Sequence, residues 1–111
     1  MTWYEKIIAA HREVTDSVSH VRRLNSERYF VWQEDGENVL RASNNHAERA
    51  MQGSTDLYTK IEFDPWVEEL GAAFDKAEIS YSYTFIEYEE DTGFYHHSWD
   101  WEVLGNGKNE L

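Results

Sequence analysis

Ile79-Ser80-Tyr81-Ser82-Tyr83-Thr84-Phe85 and Tyr95-His96-His97-Ser98-Trp99-Asp100-Trp101-Glu102-Val103 decide the fold. Both runs alternate large apolar residues with polar ones, which is the two-residue period of a half-buried strand. In the first strand, predicted over Ile79 to Tyr88, Ile79, Tyr81, Tyr83 and Phe85 share one face, with Ser80, Ser82 and Thr84 on the other. In the second, predicted over Phe94 to Val103, the odd-numbered residues from Tyr95 to Val103 share a face. Glu89-Glu90-Asp91-Thr92-Gly93 between them reads as an acidic hairpin turn, so the two strands pair antiparallel.

Working back from this pair, Asp64-Pro65 signals a helix start: Asp64 as N-cap and Pro65 at the first helical position, where a missing N–H costs nothing. Trp66, Leu70, Ala73, Phe74 and Ala77 follow as an apolar stripe, and Gly71 permits close packing on a sheet. Arg49 to Ile61 reads as a strand with Thr55, Leu57 and Thr59 on one face; Gly53 inside it marks a bulge or a close backbone approach. Tyr29-Phe30-Val31-Trp32 is a further strand, Asp35-Gly36 a tight turn, and Val39 to Ala42 the returning partner. Asn44-Asn45-His46 reads as a loop, and a weaker strand is expected around His20 to Leu24. The first helix is expected from Thr2 to Ser17, opened by a Thr2/Glu5 capping box, with Trp3, Ile7, His11 (or Ala10), Val14 and Val18 on its apolar stripe.

These elements predict an α+β fold: a mostly antiparallel sheet of about four to five strands with two helices packed on one face. Residues 1–104 form one domain, and 105–111, rich in turn formers, are expected to fray. Five Trp, seven Tyr and five Phe among 111 residues supply the apolar area that a low hydropathy otherwise understates. Trp66, Leu70, Phe74, Tyr83, Trp99 and Trp101 are the expected core.

The same sequence argues against several kinds of chemistry. Without Cys there is no disulfide, thiolate site or Cys nucleophile. There is no apolar run long enough to span a membrane, and the N-terminus lacks the pattern of a secretory signal, so a cytoplasmic protein is expected. A net charge of −12, from 22 acids against 10 bases, opposes direct nucleic-acid binding and favours solubility or basic partners. His96 and His97 fall on opposite faces of a strand, and His11, His20 and His46 show no ligand spacing, so no metal or other cofactor is expected. The carboxylate runs lie in turns or at a helix start rather than in a cleft, and neither a nucleophile elbow nor a phosphate-binding glycine loop is present; catalysis is not expected.

With little chemistry to house, the surplus of aromatic residues points to contact with other chains. Glu89, Glu90 and Asp91 at the acidic tip, with Phe94 and Tyr95 beside it, are the candidate assembly interface; a solvated turn that discourages edge aggregation is the plainer reading.

Residues 50–60 with Glu62-Phe63-Asp64-Pro65, and residues 88–97 closing on Trp99-Asp100-Trp101-Glu102-Val103, resemble stretches of small prophage structural proteins of Gram-positive bacteria. Val31-Trp32-Gln33-Glu34-Asp35-Gly36 and Leu40-Arg41-Ala42-Ser43-Asn44 fit the same pattern, so the resemblance runs from about Tyr29 to Val103. It implies a minor capsid, tail completion (tail terminator) or head–tail joining protein. Its partners would be copies of itself in a ring, in the terminator class often a hexamer, together with tail-tube and head-connector proteins. It would be found in the bacterial host cytoplasm during assembly and then at the virion tail or head–tail junction. A ring lumen that repels passing DNA would give the acidic charge a place. A small acidic immunity or inhibitor protein directed at a basic toxin remains the alternative, distinguished by a compact acidic patch around one exposed aromatic. An enzyme with a carboxylate pair in an aromatic cleft is the third reading.

Overall fold

The computed structural model describes residues 1–41 and 47–105, and of 38–41, 47 and 48 the backbone alone. Its elements are α1 (Trp3–Arg12), β1 (Val18–His20), β2 (Arg28–Arg41), β3 (Ala47–Thr59), α2 (Trp66–Lys76), β4 (Ser80–Glu89) and β5 (Phe94–Leu104). The strands form one sheet in the order β1-β2-β3-β5-β4. Only β1 and β2 run parallel; β2–β3, β3–β5 and β5–β4 are antiparallel. Both helices lie on one face of this sheet, as the alternation requires. Trp3, Ile7 and Ala10 of α1 and Leu70, Ala73 and Phe74 of α2 share a core with Phe30, Trp32, Leu57, Trp99, Trp101 and Val103. Burying each of the larger side chains stabilises the fold by roughly 1.5–3 kcal/mol.

The helix starts follow their local chemistry. The Thr2 N–H donates to Glu5 Oε1 (2.9 Å) and the Glu5 N–H to Thr2 Oγ1 (3.2 Å), completing the capping box. The α1 helix ends at Arg12, short of Ser17, because the next residues satisfy their backbones otherwise. The Ser17 N–H donates to Thr15 Oγ1 (3.1 Å) and the Val18 N–H to the Asp16 carbonyl (2.9 Å). Val14 and Val18 still pack against the core, Val18 from β1. β1 occupies Val18–His20 instead of continuing to Leu24, since Val21 turns the chain away at φ 70°. At the start of α2 the first helical residue is Trp66, one later than expected, and its N–H donates to Asp64 Oδ1 (2.9 Å).

Two readings change in the sheet. Asp35-Gly36 is no turn: β2 runs through it, and pairing steps from Glu34↔Gly53 to Gly36↔Gln52, leaving Asp35 as a bulge. Reversal and bulge favour the same dipeptide, and only the long partner strand tells them apart. Val39 to Arg41 therefore continue β2, which pairs with β3 as far as Arg41↔Ala47, beyond the last β3–β5 pair at Ala50↔Leu104. The expected loop at Asn44-Asn45-His46 lies outside the described residues, as does the expected tail beyond Gly105, whose N–H donates to the Arg49 carbonyl (2.9 Å). Gly53 is a close approach: a Cβ there would collide with the Trp101 ring and the Gln33 carbonyl oxygen. At Gly71 a Cβ would stand 2.9 Å from the Tyr81 hydroxyl.

The second change is in β4. Its register with β5 steps from Tyr83↔Trp99 to Phe85↔Ser98, so Thr84 is an extra residue, and its hydroxyl donates to the Ser98 carbonyl (3.0 Å). The bulge reverses the alternation. Phe85 moves to the face away from the helices, and Ile86 and Tyr88, opposite His97 and Tyr95, come to the helix face. Tyr83 is not core but 44% exposed, because α2 reaches β4 at Tyr81, which packs on Phe74 (ring centroids 5.3 Å apart), and no helix covers the rest. On the far face Tyr29, Val31 and Tyr58 form a second small core with Phe94 against it.

A buried hydrogen-bond chain ties α1 to the sheet. His11 Nδ1 lies 2.7 Å from the Ile7 carbonyl, which only accepts, so Nδ1 carries the proton and Nε2 accepts from Thr55 Oγ1 (2.9 Å). Thr55 Oγ1 accepts in turn from Trp101 Nε1 (2.9 Å). Burial, partly opposed by the Ile7 hydrogen bond, lowers the His11 pKa to about 4. The unfolded chain takes up this proton near the ordinary value of 6.5, the folded chain only near 4, so stability falls as pH drops between them. We expect urea unfolding to show a loss of about 3 kcal/mol from this group across that window, and the acid limb to be correspondingly flatter in His11→Gln. Gly53→Ala should destabilise by roughly 2 kcal/mol or more in the same measurement, because the added methyl would meet both the Trp101 ring and the Gln33 backbone carbonyl.

Candidate functional site

The link between β3 and α2 is built around one carboxylate. Arg28 Nη2 and Nε donate to Asp64 Oδ1 and Oδ2 at 2.5 and 2.8 Å, Thr59 Oγ1 donates to Oδ2 at 2.7 Å, and the Trp66 N–H completes the set. Burial pushes the Asp64 carboxyl upward, but the hydrogen bonds from Arg28, Trp66 and Thr59 outweigh it and hold it below the ordinary value. The Arg28 guanidinium also lies over the Trp66 ring, 3.6 Å from its centroid, and Trp66 stacks on Phe30.

This anchor presents Phe63 outward. Phe63 sits at φ 55°, a left-handed conformation that costs a residue with a Cβ about 1 kcal/mol, and is 90% exposed. It flanks a groove of about 640 Å³, whose other walls include Pro65 and Val67 of the link and α2, Tyr83 and Ile86 of β4, and Tyr95 and His97 of β5. Glu62 and Glu68 also line it. His97 Nδ1 is 2.8 Å from the Tyr83 hydroxyl, while Nε2 is buried with no hydrogen-bond partner. Burial lowers the His97 pKa. Tyr83, Phe85, Ile86 and Tyr88 are all substantially exposed along β4, which among the described residues is also a free sheet edge.

The expected interface residues do not converge. Glu89 and Phe94 pair on the face away from the helices, whereas Tyr95 pairs with Tyr88 on the helix face. Glu89 accepts from Thr92 Oγ1 (2.9 Å) and approaches Arg23 and His96, each at 3.9 Å. Phe94 is half-buried against Tyr29 and Tyr58, with Lys60 Nζ 4.4 Å from its ring centroid. Tyr95 lines the groove and donates its hydroxyl to Glu62 Oε2 (3.2 Å). Glu90 and Asp91 are exposed in the turn, which Lys60 Nζ braces through the Thr92 carbonyl. The exposed groove thus gathers residues from 62–68, 83–86 and 95–97, of which only Tyr95 was expected at an interface. A Phe set between two acids, in Glu62-Phe63-Asp64-Pro65, is the signal in the sequence that marks it.

His96 and His20 are each paired with a carboxylate. His96 Nε2 lies 2.7 Å from Asp56 Oδ1 and its ring stacks on Tyr58. His20 Nε2 lies 2.6 Å from Glu34 Oε1. Among the described residues no group of three His, Asp or Glu could hold a metal ion. No helix among them is long and apolar enough to cross a membrane.

No family model matches the chain, and no curated protein matches it. A similar solved structure is a chain described as "Virion of native gene transfer agent (GTA) particle", with a TM-score of 0.46 and 13% identity over 94% of this chain and 92% of that one. So loose a superposition carries no argument about function.

If the fold does not need the Phe63 ring, Phe63→Gly relieves the left-handed strain without uncovering any core. Thermal unfolding should show it equal to the parent or more stable by up to about 1 kcal/mol. A loss larger than that would make the ring a part of the core.

Proposed function

We propose that this chain is a structural subunit of phage morphogenesis that acts by protein–protein contact and not by catalysis, as a tail completion, tail terminator or head–tail joining protein. The observation that carries the reading is β4, a free edge strand with Tyr83, Phe85, Ile86 and Tyr88 exposed. A long edge rich in exposed aromatic residues, charged only at Glu87 and Glu89, is a hazard in a solitary protein and a template for pairing in an assembly. The prophage resemblance over Tyr29 to Val103 supplies the particle. The β2–β3 extension past Ala50↔Leu104 offers a second projecting element to a neighbouring subunit. In this reading the subunits join in a ring, in contact with tail-tube and head-connector proteins, and the acidic surface lets DNA pass without adhering.

A second reading has its own observation. Phe63, 90% exposed and close to Glu62 and Glu68, matches the acidic patch around one aromatic expected of an inhibitor of a basic toxin. Electron microscopy of tails assembled with and without the chain separates the two. Tubes of uncontrolled length in its absence establish a terminator, and headless tails of normal length a joining protein. Unaltered particles, together with tight co-purification of a basic nuclease, would instead establish the inhibitor.

A further inference from the structure

The groove between Phe63, β4 and β5 combines features that a solvated surface has no need of. Its walls are largely apolar, yet it is open to water. Phe63 is held in a strained conformation that leaves its ring almost wholly exposed. His97, only 4% exposed, has a ring nitrogen without a partner at this wall, although buried polar atoms ordinarily find one. Among the described residues the charged groups lining the groove are Glu62, Asp64 and Glu68, with no Lys or Arg, and Asp64 is already neutralised by Arg28.

We propose that this groove docks an extended segment of another protein, one that carries a single large apolar side chain flanked by Lys or Arg. The volume suits one large side chain with its adjoining backbone. The apolar anchor packs against Phe63, Pro65, Val67 and Ile86, while its basic neighbours face Glu62 and Glu68. The His97 ring and its Tyr83 partner line the groove beside the anchor. Charge complementarity favours this occupant at the groove, because a basic segment neutralises Glu62 and Glu68, whereas contact between copies is left to the β4 edge. The proposal rests on the assembly reading in needing an outside chain, and deepens it by giving that chain's chemistry.

The test uses fluorescent peptides of about ten residues with a central Trp flanked on each side by Lys, titrated against the intact protein. Matched peptides replace the Trp by Ser, or the Lys by Glu. We expect saturable binding of the Lys-flanked Trp peptide, weakened about tenfold or more by the Ser anchor and by Glu flanks, and weakened further by added salt. Phe63→Asn, which tolerates the left-handed backbone, and the Glu62→Gln/Glu68→Gln double variant should each weaken binding several-fold. Tyr4→Ser, at an exposed site on α1, should not. Nitrogen NMR of the His97 ring should shift on binding. The proposal is overturned if no peptide binds, if Glu-flanked peptides bind equally well, if Phe63→Asn is indifferent, or if the chain self-associates through Phe63. Peptide binding by a chain whose removal leaves tails unchanged would sink the assembly reading and keep the groove. Normal tail control without peptide binding would do the reverse.

Discussion

The carboxylate of Asp64 accepts hydrogen bonds from the first residue of β2, the last residue of β3 and the first N–H of α2. The paired ends of β2 and β3 are thereby tied to the start of α2 at one point. Taking a carboxylate out of water is costly, and the cost is offset here by a bidentate guanidinium and two further donors. Removing any one donor would leave a buried charge short of a partner. The arrangement also sets direction: with Asp64 held inward, its neighbour Phe63 is turned outward, and the groove beside it opens. The same contact orders the fold and exposes the surface.

A second constraint divides the rings between core and solvent. Phe30, Trp32, Leu57, Trp99 and Trp101 lie under the two helices, and the His11–Thr55–Trp101 chain holds that layer with each polar atom satisfied. The helices are too short to cover the far end of β4, and the Thr84 bulge then delivers Ile86 and Tyr88 to the uncovered area. The bulge also brings Ile86 beside His97 and Tyr83, on the wall of the groove. Aromatic surplus, free edge and acidic rim are therefore one region rather than three independent surface features.

Much of the architecture is legible from local patterns. The capping box at Thr2, the Asp64-Pro65 helix start, the Leu70/Phe74 stripe and the alternation through Trp99 and Trp101 each report a backbone preference that neighbours in sequence suffice to express. The α+β class and the placement of both helices on one face follow from them. Gly53 and Gly71 are legible as close approaches, though not whose ring approaches them. The acidic tip is legible as a turn, and the residues flanking it divide between the two faces because successive strand residues alternate.

The candidate surface is less legible, and the reason is physical. Asp-Gly at residues 35–36 serves a reversal or a bulge equally well, and Thr84 carries no local mark of the bulge it forms; in both cases the length and register of a distant partner strand decide. Tyr83 alternates like a core residue, yet its burial depends on where α2 ends, which periodicity does not encode. By itself the sequence determined which residues favour helix or strand and which faces are apolar, because those are short-range properties of side chain and backbone. Only the tertiary structure decided which apolar faces find a cover, since that depends on the Asp64 junction bringing together Arg28, Thr59 and Trp66 from separate parts of the chain.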